Sequence, residues 1–92
     1  MCGIAGIVLG DTRASVDPAM LQVMTDSIEH RGPDGRGQEV LGSVGFGHRR
    51  LSILDLSEAG AQPFADPAQE IWTTYNGEIY NFLEVRAELE RL

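Results

Sequence analysis

Cys2 is the first residue with chemistry to offer. It is the single cysteine among 92 residues, and it directly follows Met1. Methionine is usually removed when the next side chain is small, and removal here leaves a free α-amine beside the thiol. Free α-amines and thiols both titrate within about two units of neutrality, so each reaches its reactive state at modest cost. One residue then holds a nucleophile and its base, as in nucleophiles activated by an N-terminal amine. The bland alternative is a small apolar strand residue. A thiolate attacking an amide makes a tetrahedral oxyanion, which needs two donors aimed at one point. Asn76-Gly77 can supply a side-chain amide and a backbone N–H, and glycine allows close approach. The same pair also reads as a plain turn. Glu78 follows and can take an ammonium group. Arg50 can fork onto a carboxylate, or it can be a solvated charge on a sheet edge. Arg31 can act as a fixed cation favouring a thiolate, or it can belong to a surface turn, Arg31-Gly32-Pro33-Asp34-Gly35.

Composition narrows the setting. Ninety-two residues suit one domain at most, with a small core. Apolar residues make up 42% and charged residues 23%, ordinary proportions for a globular protein. The net charge of −7 argues against nucleic acid and anionic membrane as partners. All seven basic residues are arginine. One cysteine and two histidines leave no metal-ligand cluster and no internal disulfide. The apolar run from Gly3 to Leu9 lacks a basic flank and is too short for a secretory signal or a membrane span. A reducing, cytoplasmic setting is the expectation.

The elements that must position these residues follow from pattern. Gly3 to Leu9 is a continuous apolar run ending at Gly10-Asp11, a buried strand with Cys2 at its start. Asp17 caps a helix whose first position is Pro18, with Val16 stapled onto Leu21. Leu21, Met24 and Ile28 share one helical face and read as core. The helix should stop near His30, before the Gly/Pro-rich loop. Glu39–Leu41 and Val44–His48 flank Gly42-Ser43, a two-residue connection suited to a type II′ hairpin. Gly45-x-Gly47 does not continue into a dinucleotide fingerprint, and no phosphate loop follows. Ser57 to Asp66 reads as loop, and Ile71–Tyr75 as a strongly β-prone strand. Asn81 and Glu84 have capping-box spacing ahead of a helix with Phe82, Val85, Leu89 and Leu92 on its apolar stripe. That stripe runs to Leu92 with no stop signal, so the chain reads as truncated.

Four stretches together carry a resemblance: MCGIAGIV at the start, HRGPDG over His30–Gly35, HRRLSILDLS over His48–Ser57, and YNGEIYN over Tyr75–Asn81. In that order they resemble the glutamine amidotransferase domain of glutamine-hydrolysing asparagine synthetases, among the class II, N-terminal-nucleophile amidotransferases. The resemblance covers nearly the whole chain. It implies an α+β fold, the N-terminal-nucleophile hydrolase α/β/β/α sandwich, with only the N-terminal portion present. It implies Cys2 as nucleophile with its own amine as base, and Asn76 and Gly77 as the oxyanion hole. Arg50, Leu51, Ser52, Ile53 and Leu54 would line the L-glutamine pocket, Arg50 holding the α-carboxylate and backbone carbonyls helping to bind the ammonium. Glu78 would also contact that ammonium, and Arg31 is carried as a supporting residue behind the nucleophile. Arg49 stands where relatives often have an acidic residue, which bears on how Arg50 is oriented.

The family's ammonia passes to an ATP-dependent synthetase domain that amidates aspartate. ATP and magnesium are expected for that domain, not for this chain, which needs no cofactor of its own and lacks the remainder of the glutaminase domain. Two other readings stay open. One is a non-catalytic fragment that works only when complemented. The other is a different N-terminal-nucleophile amidohydrolase, which Arg50 with Glu78 argues against by fitting an α-amino acid. A homodimer is compatible with the sequence, which does not fix the oligomeric state.

Overall fold

A computed structural model describes residues 2–52 and 60–92. The expected pocket residues Ile53 and Leu54, and the expected loss of Met1, lie outside the described residues. The architecture is α+β: a three-stranded antiparallel sheet with a helix on one face, a separate two-stranded hairpin, and a second helix.

Strand β1 (Gly3–Val8) forms on the apolar run, but it is not the buried strand expected: Ile4, Gly6 and Val8 are exposed because one face of the sheet is open. Strands β2 (Gly35–Leu41) and β3 (Val44–Arg50) form the hairpin, and the sheet order is β1-β3-β2. Gly42 turns left-handed at φ 62° while Ser43 does not, which suits the expected type II′ connection. Both strands are longer than the pattern suggested, because Gly35 and Gly37 pair with Arg50 and His48. β3 is therefore the central strand. Arg50 ends this strand, paired with Gly35 of β2.

Helix α1 (Pro18–Asp26) starts as read: Asp17 accepts the Ala19 N–H at 2.9 Å. It ends four residues earlier than expected, and a 3-10 turn at Glu29–Arg31 completes the descent. Val16 and Leu21 are the buried apolar side chains among the described residues, and Thr25 is buried with them. Met24 and Ile28 are only half-buried. The helix lies close to β3 because Gly45 and Gly47 leave room. A Cβ at Gly45 would stand 3.0 Å from both Leu21 and Val16, and one at Gly47 would collide with the Thr25 hydroxyl. The buried Thr25 hydroxyl is satisfied by the Leu21 carbonyl at 2.8 Å.

Residues 64–73 correct two readings. Part of the expected loop is strand β4 (Phe64–Ala65), and the expected five-residue strand is only β5 (Trp72–Thr73). Asp66 closes their connection, accepting from the N–H groups of Glu70 and Ile71. Helix α2 (Phe82–Glu90) forms where expected, but Asn81 makes no side-chain capping bond, so the capping box is absent. All of α2 is exposed. No helix among the described residues is long and apolar enough to cross a membrane, and none of their acidic, histidine or cysteine side chains cluster as a metal site.

Candidate active site

Side-chain alternation divides the sheet. Gly45 and Gly47 face α1 and Gly3 faces Ile28 just beyond its end, so Ile4, His48 and Arg50 face the other side. β1 and β3 pair from Val8↔Val44 to Gly3↔Arg49, and Cys2 lies one residue past the last pair. There its Sγ accepts the Leu51 N–H at 3.3 Å and lies 3.7 Å from the Leu51 carbonyl oxygen. The sheet thus seats the thiol on the backbone of the residue after Arg50.

Arg50 is half-buried on the open face. It helps line a cavity of about 170 Å³ with Asp34, His48, Ser52 and Gln62. Gly60 comes so close that a Cβ there would strike the guanidinium. Cys2 does not line this cavity, nor do Asn76, Gly77 and Glu78.

Arg49 points the opposite way. It is 7% exposed, donates from Nε to the Gly32 carbonyl at 3.0 Å, and meets Glu29 at 3.4 Å. A guanidinium removed from water needs such partners. Arg49 therefore acts on Arg50 only through the backbone between them.

The loop 31–35 buttresses this strand end. Gly32 packs against the Arg49–Arg50 peptide so tightly that any Cβ would overlap it. Asp34 donates its N–H to the Arg50 carbonyl at 2.9 Å, and its carboxylate accepts the Ser52 N–H at 2.9 Å. Arg31 is exposed and donates from Nε to the Cys2 carbonyl at 3.3 Å. It meets Cys2 through the backbone, not through the thiol. Asp34 was not singled out by sequence reasoning, since a turn aspartate announces no particular partner.

His48 was also missed. It is 1% exposed and sits opposite Ile4, two residues along β1 from Cys2. Its Nε2 lies 3.2 Å from the Tyr75 carbonyl oxygen, which can only accept, so Nε2 carries a proton. Nδ1 is buried without a hydrogen-bond partner among the described residues. Burial pushes the imidazole below its ordinary value of 6.5; the Tyr75 bond opposes this and the Arg50 charge reinforces it. The neutral ring is the favoured form.

Tyr75 is held from its other end as well, its N–H donating to Gln62 Oε1 at 2.6 Å. Its ring folds back over Gly77, where a Cβ would lie 2.6 Å from the hydroxyl, which itself donates to the Glu78 carbonyl at 3.4 Å. Asn76 is half-buried, while Gly77 and Glu78 are exposed. Among the described residues no hydrogen bond joins the Cys2 thiol to Asn76 or Gly77. The structure brings together Cys2, Leu51 and the Arg50 strand end, and it docks Tyr75 on the same face.

The sequence model of the glutamine amidotransferase domain matches residues 1–92, the whole chain. The chain belongs to that family. It is 42% identical to asparagine synthetase [glutamine-hydrolyzing] 1 of Bacillus subtilis, over 98% of this chain and 14% of that protein. It is 39% identical to asparagine synthetase [glutamine-hydrolyzing] 1 of Saccharomyces cerevisiae, over 96% of this chain and 15% of that protein. It is also 39% identical to amidase chry2 of Gibberella zeae, over 97% of this chain and 15% of that protein. The chain therefore spans about one seventh of the length of these curated relatives.

Proposed function

We propose that the chain carries the nucleophile end of a glutaminase, releasing ammonia from L-glutamine as part of an asparagine synthetase-like protein. The observation that carries this reading is the seating of Cys2 Sγ on the backbone of Leu51, the residue next to Arg50. One strand end then offers a thiol and a carboxylate clamp, the two requirements for opening an amino-acid amide.

In this reading the α-amine of Cys2, freed of Met1, takes the thiol proton. Sulfur attacks the side-chain amide carbon, and the carbonyl oxygen becomes an oxyanion held by the Asn76 amide and the Gly77 N–H. The oxyanion collapses, the C–N bond breaks, and the ammonium of Cys2 gives its proton to the departing ammonia. Water then attacks the thioester with the amine again as base, releasing glutamate and restoring the thiol. Arg50 holds the α-carboxylate, while Glu78 and carbonyls of residues 51–54 hold the α-ammonium. Catalytic hydrogen bonds commonly tighten only with substrate present, so Asn76 and Gly77 need no bond to the thiol beforehand.

The parent fold in this reading is the α/β/β/α sandwich. Support comes from the sheet, which has α1 on one face and exposed Ile4 and Val8 on the other. A second sheet would cover them. The ATP- and magnesium-dependent amidation of aspartate belongs, in this reading, to a separate domain of the longer protein, in the cytoplasm. Relatives named as glutamine-hydrolysing synthetases and as an amidase align over these same residues, which supports amide cleavage as the shared step.

Intact mass of the full-length protein tests the reading. Met1 should be absent, and 6-diazo-5-oxo-L-norleucine should add once, at Cys2. Active protein that keeps Met1 would overturn the amine as base. Active protein that escapes labelling at Cys2 would overturn the nucleophile.

A further inference from the structure

The residues just before Asn76 are not held by a sheet. β5 ends at Thr73, and Tyr75 lies beyond any ladder. Its backbone is gripped by two side chains instead: the carbonyl accepts from His48 Nε2 at 3.2 Å, and the N–H donates to Gln62 Oε1 at 2.6 Å. The two grips come from different places. His48 belongs to the central strand and is fixed by pairing on both sides, with Ile4 and with Gly37. Gln62 belongs to the loop pressed onto β2, where its own carbonyl leaves no room for a Cβ on Gly37.

His48 also carries a feature that packing does not explain. Nδ1 is buried and unpaired among the described residues, a cost that an apolar side chain of similar size would avoid. What the imidazole offers in return is one N–H aimed at one carbonyl. That carbonyl belongs to the peptide that enters Asn76.

We propose that His48 and Gln62 are positioning residues that clamp the Tyr75 backbone and so set where the Asn76 amide and the Gly77 N–H stand. The inference rests on the assignment of those two groups as oxyanion donors. His48 and Gln62 also line the Arg50 cavity, but the two atoms that form the clamp, Nε2 and Oε1, are bonded to Tyr75 and act on the reaction through the donors. Because those donors count most in the transition state, loosening them lowers kcat more than it changes KM.

The test uses steady-state glutamine hydrolysis by the full-length protein. His48→Phe keeps the volume and loses the N–H; kcat should fall at least about tenfold with KM within about twofold. His48→Gln places an amide N–H where Nε2 was, and should recover most of the lost kcat. Gln62→Leu should repeat the kcat-only loss, and it serves alone if His48→Phe does not fold. Combining His48→Phe with Asn76→Ala should cost much less than the product of the two single losses, since both act at one step.

An unchanged kcat in His48→Phe or Gln62→Leu would overturn the clamp. So would a Gln variant no better than Phe, or losses that multiply in the double variant. If Asn76→Ala alone leaves kcat unchanged, the oxyanion assignment itself fails, and the clamp falls with it. If Asn76→Ala is slow and the His48 and Gln62 variants are not, only the clamp fails.

Discussion

At the scale of single residues, three side chains carry separable predictions. Arg50→Lys in the full-length protein should raise KM for glutamine much more than it lowers kcat. A bidentate fork is replaced by a point charge, while the reacting amide is untouched. An unchanged KM would remove Arg50 from the pocket. Asn76→Ala should lower kcat by roughly 10²–10³-fold with little change in KM, the range for losing one oxyanion donor. Asn76→Asp keeps much of the turn preference but puts a repelling charge where a donor is needed. A folded Asp variant with near-normal turnover would make Asn76 a turn residue and nothing more. His48 carries a pH prediction. Its folded-state pKa is depressed by burial, with the Arg50 charge adding to the effect, so the unfolded chain takes up a proton more readily. The stability this contributes is complete above the ordinary value of 6.5 and is lost as pH falls through the lower folded-state value. Melting temperature should therefore drop more steeply on acidification below about pH 6.5 in the native protein than in His48→Gln. Parallel curves would show that His48 is not protonated on unfolding.

At the scale of elements, the decisive contact is between the loop 31–35 and the end of β3. Gly32 has an ordinary extended φ of −151°, so glycine is required by space and not by conformation. The atoms in the way are backbone atoms of Arg49 and Arg50, which cannot rotate aside. Gly32→Ala should destabilise the full-length protein by about 1–3 kcal/mol, the usual cost of overpacking. It should also raise KM for glutamine, because the displaced peptide carries Arg50. Denaturant unfolding and steady-state kinetics check both halves. A loss below about 0.5 kcal/mol, within the range of neutral surface changes, would mean the loop yields and does not buttress. This contact also shows what could be read beforehand. β1, the start of α1 and the Gly42-Ser43 turn were legible because local pattern and turn chemistry dictate them. The first half of β2 was not, since Gly35 and Gly37 look like loop and are strand only because β3 and Gln62 press against them. Cys2, Arg50 and the Asn76-Gly77 pair could be named by residue type. Asp34, Gln62 and His48 could not, because each bonds to a backbone group distant in sequence. No residue type or spacing marks such a partner.

At the scale of the whole molecule, the surface is too large for the mass. A folded monomer of this size should expose about 5,200 Å² and have a radius of gyration of about 12 Å. The chain exposes 6728 Å² with a radius of 14.6 Å. The excess is apolar in the places that matter. Ile4 and Val8 lie bare on the open sheet face, and Phe82, Leu83, Val85 and Leu89 lie bare on α2. Along α2, Ile79, Phe82, Val85 and Leu89 line a groove of about 420 Å³. Against this stand only two buried apolar side chains among the described residues. The 92-residue chain produced alone should therefore be loosely folded or self-associating. Its net charge of −7 opposes association, and that repulsion is screened as salt rises from about 0.01 M, where it reaches about 30 Å, to 1 M, where it reaches about 3 Å. Association should then increase with salt, the reverse of what ion-pair contacts would give. Light scattering coupled to size exclusion across that salt range, with near-ultraviolet circular dichroism, would measure both effects. A monodisperse monomer at every salt concentration, melting in one sharp cooperative step, would show that the small core suffices and that these apolar faces need no cover.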